Sequence, residues 1–215
     1  MLVSYKWRRL SYETFMALGE LGGNAISWNN YGLFWTYDDL WVSKPNPKAV
    51  PKYFLARRLL ECKNVKEIIK LLRRYEIVSG FHVMVGDFKN KKMFSIEKRL
   101  KRTSVIEIGS GSVMCHSNHY IHNLFARSGR ALISADDTLP FHKSDKRLQI
   151  AGDSLAADAQ VGSALATWTG PLRRPFSKRD GSRTIITTVA DFDTKEIVLY
   201  PYGRKANPIL RKFGA

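Results

Sequence analysis

Two amphipathic helical segments set back to back, followed at once by a run of alternating segments, constrain this chain more than any other feature. From Val50 to Cys62, Phe54, Leu55, Leu59 and Leu60 recur at helical spacing, and Pro51 stands where a first-turn proline is tolerated. Asn64 has the character of an N-cap, with Glu67 three residues on as its capping-box partner. Val65, Ile68, Ile69, Leu71 and Leu72 then make one apolar face, Lys and Arg cover the other, and Cys62-Lys63-Asn64 is the turn between the helices. From Ser79 the period changes. Phe81 to Asp87 and Lys92 to Glu97 read as strands around a basic turn at Lys89 to Lys92, Thr103 to Ile108 continues in strand character, and Ser112 to His116 reads as a further short strand.

The flanks extend the pattern. Tyr12 to Leu18 suits a short strand or a helical turn, and Gly19 to Asn30 is rich in Gly and Asn, which favours turns. Gly32 to Tyr37 is an aromatic and β-branched run of strand type, ending at Asp38-Asp39, and Pro45, Pro47 and Pro51 mark a loop. Ser144 to Ala166 is Ala-rich and helical in character, weakened by Gly152 and Gly162. Ser128 to Pro140 and Trp168 to Arg183 read as loops, and Thr184 to Tyr200 as a hairpin around Asp193-Thr194-Lys195. Elements clustered in blocks point to an α+β layered fold with largely antiparallel sheet. A chain of 215 residues suits a single domain over 1–215, with 1–19 and 203–215 poorly defined and the last stretch frayed.

The chain is 44% hydrophobic, enough for a real core, and carries a formal net charge of +16. Such a charge draws anions or nucleic acid and says nothing about fold. The Lys and Arg residues are spread over many segments, with no zinc finger, helix-turn-helix spacing or aromatic motif of the RNA-recognition kind, so nucleic-acid binding has charge alone behind it. No apolar run reaches the roughly 18 residues of a membrane span. The start, Met1 to Arg9, lacks a secretory h-region, and Cys62 and Cys115 form no disulfide framework, so the expectation is a cytoplasmic protein without a membrane partner.

The densest cluster of reactive side chains is Cys115-His116-Ser117-Asn118-His119-Tyr120-Ile121-His122. The histidines stand at i, i+3, i+6 with no His-Glu-x-x-His motif beside them, so polar loop histidines outweigh a metal site. On a strand Cys115 and His116 point to opposite faces, which makes His116 a poor base for that thiol. Asn118 is different: its NH2 group suits an oxyanion hole or a contact to an amide substrate. Arg147, with Ser144 three before it, suits anchoring a carboxylate or holding a network together.

Gly23-Asn24-Ala25-Ile26-Ser27-Trp28-Asn29-Asn30-Tyr31-Gly32-Leu33-Phe34-Trp35-Thr36 resembles the G-N-x-x-x-x-N-x-x-G-L-x-x-T segment of the isopenicillin N acyltransferase family. The helix pair from Val50-Pro51 to Ile68, the strands Val83 to Asp87 and Phe94 to Glu97, the segment His116 to Tyr120 and the closing hairpin Thr184 to Tyr200 are similar to that family's, in its order, over most of residues 20–200. The resemblance implies an N-terminal nucleophile (Ntn) hydrolase, a four-layer αββα sandwich using a cysteine at a new N-terminus whose α-amino group is the base. An α-amino pKa near 8 suits that role. It implies a small amide or acyl-amine substrate, a thioester intermediate, and neither cofactor nor metal.

Carried over by position, the resemblance puts Asn118 at the amide-bearing site residue and Arg147 at the arginine that supports the nucleophile, with His116 and His119 as flanking, substrate-side residues. His122 receives no role. Where the family offers an oxyanion-hole Asn, this chain has Asp38, and a carboxylate repels a developing oxyanion unless protonated. No cysteine precedes Cys62, so the nucleophile falls to an N-terminal segment or chain beyond these residues. The expectation is therefore a partial acyltransferase or amide hydrolase, incomplete at the N-terminus and inactive as it stands. The alternative is a non-catalytic basic domain that binds nucleic acid or another polyanion, and a third reading is a poorly folding partial domain with an exposed sheet edge.

Overall fold

A computed structural model describes residues 1–126, 144–157, 185–201 and 207–213. They gather into two compact units, one holding residues 1–112 and 118–126, the other 113–117 and the described residues from 144 onward.

The first unit is a seven-stranded sheet in the order of the sequence: β1 (Leu2–Trp7), β2 (Leu10–Phe15), β3 (Ser27–Asn29), β4 (Leu33–Leu40), β5 (Gly80–Asp87), β6 (Lys92–Arg99) and β7 (Arg102–Ile108). Every neighbouring pair is antiparallel. The N-terminal residues that the sequence left undefined thus form a regular β1–β2 hairpin, with Tyr5 stacked on Tyr12.

Helices α1 (Lys52–Leu59) and α2 (Val65–Arg74) interrupt the meander between β4 and β5 and cover one face of the sheet. Leu55, Leu59 and Leu60 from the first helix and Val65, Ile68 and Leu72 from the second bury against Leu33, Trp35, Phe81, Val83, Val85 and Ile96. The side-chain period of a strand is two, so these are the alternate positions of β4, β5 and β6. The predicted N-cap holds: Asn64 Oδ1 accepts from Glu67 N at 2.9 Å. The reciprocal bond shifts by one residue, because Glu67 Oε2 accepts from Lys63 N rather than from the cap itself. A short helix, α3 (Asn123–Ala126), buries Phe125 against Leu40 and Tyr120.

The Gly/Asn stretch before β4 is what lets the helices come so close. Gly23 adopts φ +95, and a Cβ there would collide with Ala56 O of α1. Its carbonyl accepts from Trp35 Nε1 at 3.1 Å and its N–H donates to Thr14 Oγ1 at 3.0 Å. Asn29, fully buried, uses both ends of its amide: Nδ2 donates to Leu60 O (3.2 Å) and Cys62 O (2.8 Å), while Oδ1 accepts from Tyr31 N (3.1 Å) and Leu33 N (3.3 Å). One side chain therefore ties the entry of β4 to the exit of α1.

The second unit contains α4 (Ser144–Ala157) and a three-stranded antiparallel sheet in the order β10–β9–β8, from β8 (Ile186–Asp191), β9 (Glu196–Pro201) and β10 (Ile209–Lys212). Asp191 Oδ1 receives Asp193 N and Thr194 N and closes the expected hairpin. The tail expected to fray instead pairs with β9 through Ile209–Lys212. Of the helix expected over Ser144 to Ala166, the part after Ala157 lies outside the described residues, as do both loops expected over 128–140 and 168–183.

Candidate functional site

The face of the seven-stranded sheet turned away from the helices carries polar side chains that are nevertheless buried. Antiparallel register sets Asp38 opposite His82 and His82 opposite Glu97, with Ser95 one diagonal step away. His82 Nδ1 lies 3.0 Å from Asp38 Oδ2, His82 Nε2 lies 2.9 Å from Ser95 Oγ, and Ser95 Oγ lies 2.9 Å from His122 Nε2. His82, Ser95 and Glu97 are fully buried and His122 is 1% exposed, whereas the Asp38 side chain keeps 29% of its surface in solvent. Glu97 Oε1 accepts from Ile121 N (2.6 Å) and His122 N (3.2 Å), which fixes the backbone that delivers His122.

The proton inventory of this row is constrained. An ionised Asp38 only accepts, so His82 Nδ1 carries a hydrogen. Ser95 has a single hydroxyl hydrogen and an imidazole nitrogen on either side. With His82 neutral, Ser95 donates to His82 Nε2 and receives from His122 Nε2. With His82 protonated, both bonds reverse. The row can thus hold or pass one proton between His122 and Asp38. The order carboxylate–imidazole–hydroxyl is that of a nucleophilic triad, but Ser95 is closed to any substrate and its oxygen is shared by two rings, so the arrangement orients groups and does not expose a nucleophile. Removing the hydroxyl takes a partner from two buried ring nitrogens, and Ser95→Ala is expected to cost about 2–3 kcal/mol. Urea unfolding measures it; a loss below about 0.5 kcal/mol would show that the hydroxyl bridges nothing.

Two residues of this row were invisible in the sequence. His82 is a lone histidine within an apolar strand, and Ser95 an ordinary strand serine. The only signal was a few polar residues at alternate positions of β4 and β6, Thr36 and Asp38, Ser95 and Glu97, which equally describe a solvated face. His122, left without a role by its sequence context, is the buried end of the row.

Asp38 and Asp39 are neighbours on β4 and point to opposite faces. Asp38 meets His82. Asp39 faces α1, where Lys52 Nζ lies 2.6 Å from Oδ1 and Tyr53 Oη donates to Oδ2 at 3.1 Å. Burial, with Asp39 beside it, pushes the Tyr53 phenol up to about 12. Asn118, half-buried, donates from Nδ2 to Asp39 O at 3.2 Å. Asn118 thus reaches β4 at the backbone carbonyl of the residue next to Asp38.

Arg147 lies on α4, and its Nη2 donates to Ser117 Oγ at 3.1 Å, while Ser144 Oγ lies 3.0 Å from the same oxygen. Ser144 and Arg147, one helical turn apart, both reach buried Ser117. His116 and His119 are half-buried in irregular backbone. The strand expected over Ser112 to His116 does not form. A turn closed by Ser112 N to Gly109 O, with Gly111 at φ +74, leads the chain off the end of β7, so no strand pairing continues. Strand alternation therefore does not set Cys115 and His116 on opposite faces.

Neither thiol is activated. Cys62 is buried, its Sγ pointing to Arg58 O at 3.8 Å, and burial pushes its pKa up to about 12. Burial also raises Cys115 above the ordinary thiol range.

This architecture defines a class. The crystal structure of a mutant conjugated bile acid hydrolase from Clostridium perfringens superposes with a TM-score of 0.54 and 15% sequence identity, covering 93% of this chain and 76% of that one. The chain therefore has the α+β fold of an Ntn hydrolase. The family model for acyl-coenzyme A:6-aminopenicillanic acid acyl-transferase matches residues 1–205, and the chain belongs to that family, whose chemistry is acyl transfer and amide hydrolysis of the Ntn type. The match includes the β1–β2 hairpin, ahead of the region where the sequence motifs begin. No curated protein matches the sequence. Among the described residues no helix is long and apolar enough to cross a membrane.

Proposed function

We propose that this chain provides the scaffold and polar site residues for acyl transfer from, or hydrolysis of, small N-acyl amides through a thioester, and that the thiol nucleophile comes from a segment or chain other than these residues. The observation that carries the reading is that Asn118, the position a family resemblance gives to the amide-bearing site residue, donates to the carbonyl of Asp39, the residue next to the Asp38 that stands at the oxyanion position. In this reading Asn118 serves as the amide-bearing site residue, Arg147 holds Ser117, and His116 and His119 have the substrate-side role that the resemblance gives them. The Asp38 carboxylate lies 3.0 Å from His82 Nδ1, and an ionised carboxylate there would oppose a developing oxyanion. Both thiols present are protonated at neutral pH.

The purified chain is accordingly expected to release no amine above background from β-alanyl amides. Turnover that is lost in Cys115→Ala would overturn the assignment of the nucleophile. Turnover that survives both Cys62→Ala and Cys115→Ala would overturn the thioester itself.

A further inference from the structure

The outer surface of α2 presents Lys66, Lys70, Arg73 and Arg74, all exposed, at i, i+4, i+7 and i+8. They form one ridge opposite the buried stripe of Val65, Ile68 and Leu72. Like charges at i and i+4 repel, and Lys66–Lys70 and Lys70–Arg74 are two such pairs. Among the described residues none of the four forms an ion pair, although the same helix pair neutralises Arg57 and Arg58 with Glu61. A local rule is thus broken without a compensating carboxylate among the described residues.

Beside the ridge lies a groove of about 370 Å³ between α1 and α2. Lys70, Arg74 and Arg58 edge it, and two aromatic rings line it: Phe54, 57% exposed, and Tyr75, 37% exposed, with the Arg74 guanidinium 5.4 Å above the Tyr75 ring. Its two carboxylates are already engaged, Glu61 by Arg57 and Arg58 and Glu67 by the Lys63 N–H. Cations in a row next to exposed aromatic faces are the combination that holds single-stranded nucleic acid, phosphates on the charges and bases on the rings. A duplex keeps its bases stacked inside and leaves the rings unused. From Lys66 to Arg74 the ridge runs roughly 12 Å, enough for a few phosphates. We infer that the α1–α2 groove is a single-stranded nucleic-acid site without sequence preference. It is independent of the acyl-transfer reading.

The test is a fluorescence-anisotropy titration of the full chain with a labelled oligothymidylate of about 20 nucleotides, repeated over a salt series. With four phosphates neutralised, log K should fall with log salt at a slope of about −3. The combined variant Lys66→Gln, Lys70→Gln, Arg73→Gln, Arg74→Gln should abolish binding while its circular-dichroism melt stays at or above the parent's, since repulsion is removed. Tyr75→Ala should weaken binding about tenfold and leave the slope unchanged. Lys6→Gln with Arg9→Gln, on the β1–β2 hairpin, should change nothing. Absence of binding at about 50 mM salt, equal loss in the hairpin variant, or equal affinity for duplex DNA, polyglutamate or phosphatidylserine vesicles would each overturn the inference.

Discussion

A Lys98→Met variant is expected to be more stable than the parent at neutral pH, and the advantage is expected to vanish as pH rises. Lys98 lies on β6 opposite Phe81, on the face packed by the helices, and its side chain is fully buried. Its amine has no hydrogen-bond partner among the described residues. Burial pushes its pKa down to about 8, with the Glu76 carboxylate resisting the shift. An unfolded lysine titrates near 10.5. Below pH 8 both states are protonated, and the folded state carries the whole cost of a buried charge. Between pH 8 and 10.5 only the unfolded state holds the proton, so stability rises with pH. Above 10.5 both are neutral and the cost is gone.

The full difference is on the order of 3 kcal/mol. Cys62 acts in the opposite sense from pH 9 upward, because its thiol stays protonated in the fold to about 12. Subtracting the variant's stability from the parent's isolates Lys98. Urea unfolding from pH 6.5 to 10.5 makes the comparison. A parent–variant difference that does not change over that window would show that the amine is solvated.

Asn29→Ala is expected to be the most damaging single truncation, at about 3–5 kcal/mol, since buried Leu60 O, Cys62 O and Leu33 N lose partners together and each unmet group costs about 1–3 kcal/mol. Asp substitutes only one end of the amide. It keeps the acceptor for Tyr31 and Leu33 but faces two carbonyls with a charge, so Asn29→Asp should be no better than alanine. Thermal melting of both variants is the measurement; an aspartate variant close to the parent would mean that the two carbonyl contacts contribute nothing.

Asn29 also shows how far sequence reading reaches. The Gly-Asn stretch was legible as a motif because turns and close approaches need those residue types, and Gly23 against Ala56 is such an approach. What the Asn amide NH2 does there was not legible, since the carbonyls that accept from it lie 31 and 33 residues away. The candidate site divides in the same way. Asn118 stood out by residue type, Asp38 through the family resemblance, and Arg147 by its spacing from Ser144. His82 and Ser95 did not, and His122 was passed over, because an isolated polar residue carries no sign of its neighbour across a sheet. The Ser112–His116 strand was misread for the reverse reason: local β-propensity needs a pairing edge to become a strand.

By itself the sequence determined the helix pair, the strands of the central meander and the closing hairpin, because hydrophobic period and cap chemistry act over a few residues. It also carried the family, through ordered motifs. Only the tertiary structure decided that the second face of the sheet holds a connected row of Asp38, His82, Ser95 and His122, and that Lys70 and Arg74 of α2 edge a groove lined by Phe54 and Tyr75. Both follow from strand register and helix-face geometry, which bring together residues that the chain order keeps apart.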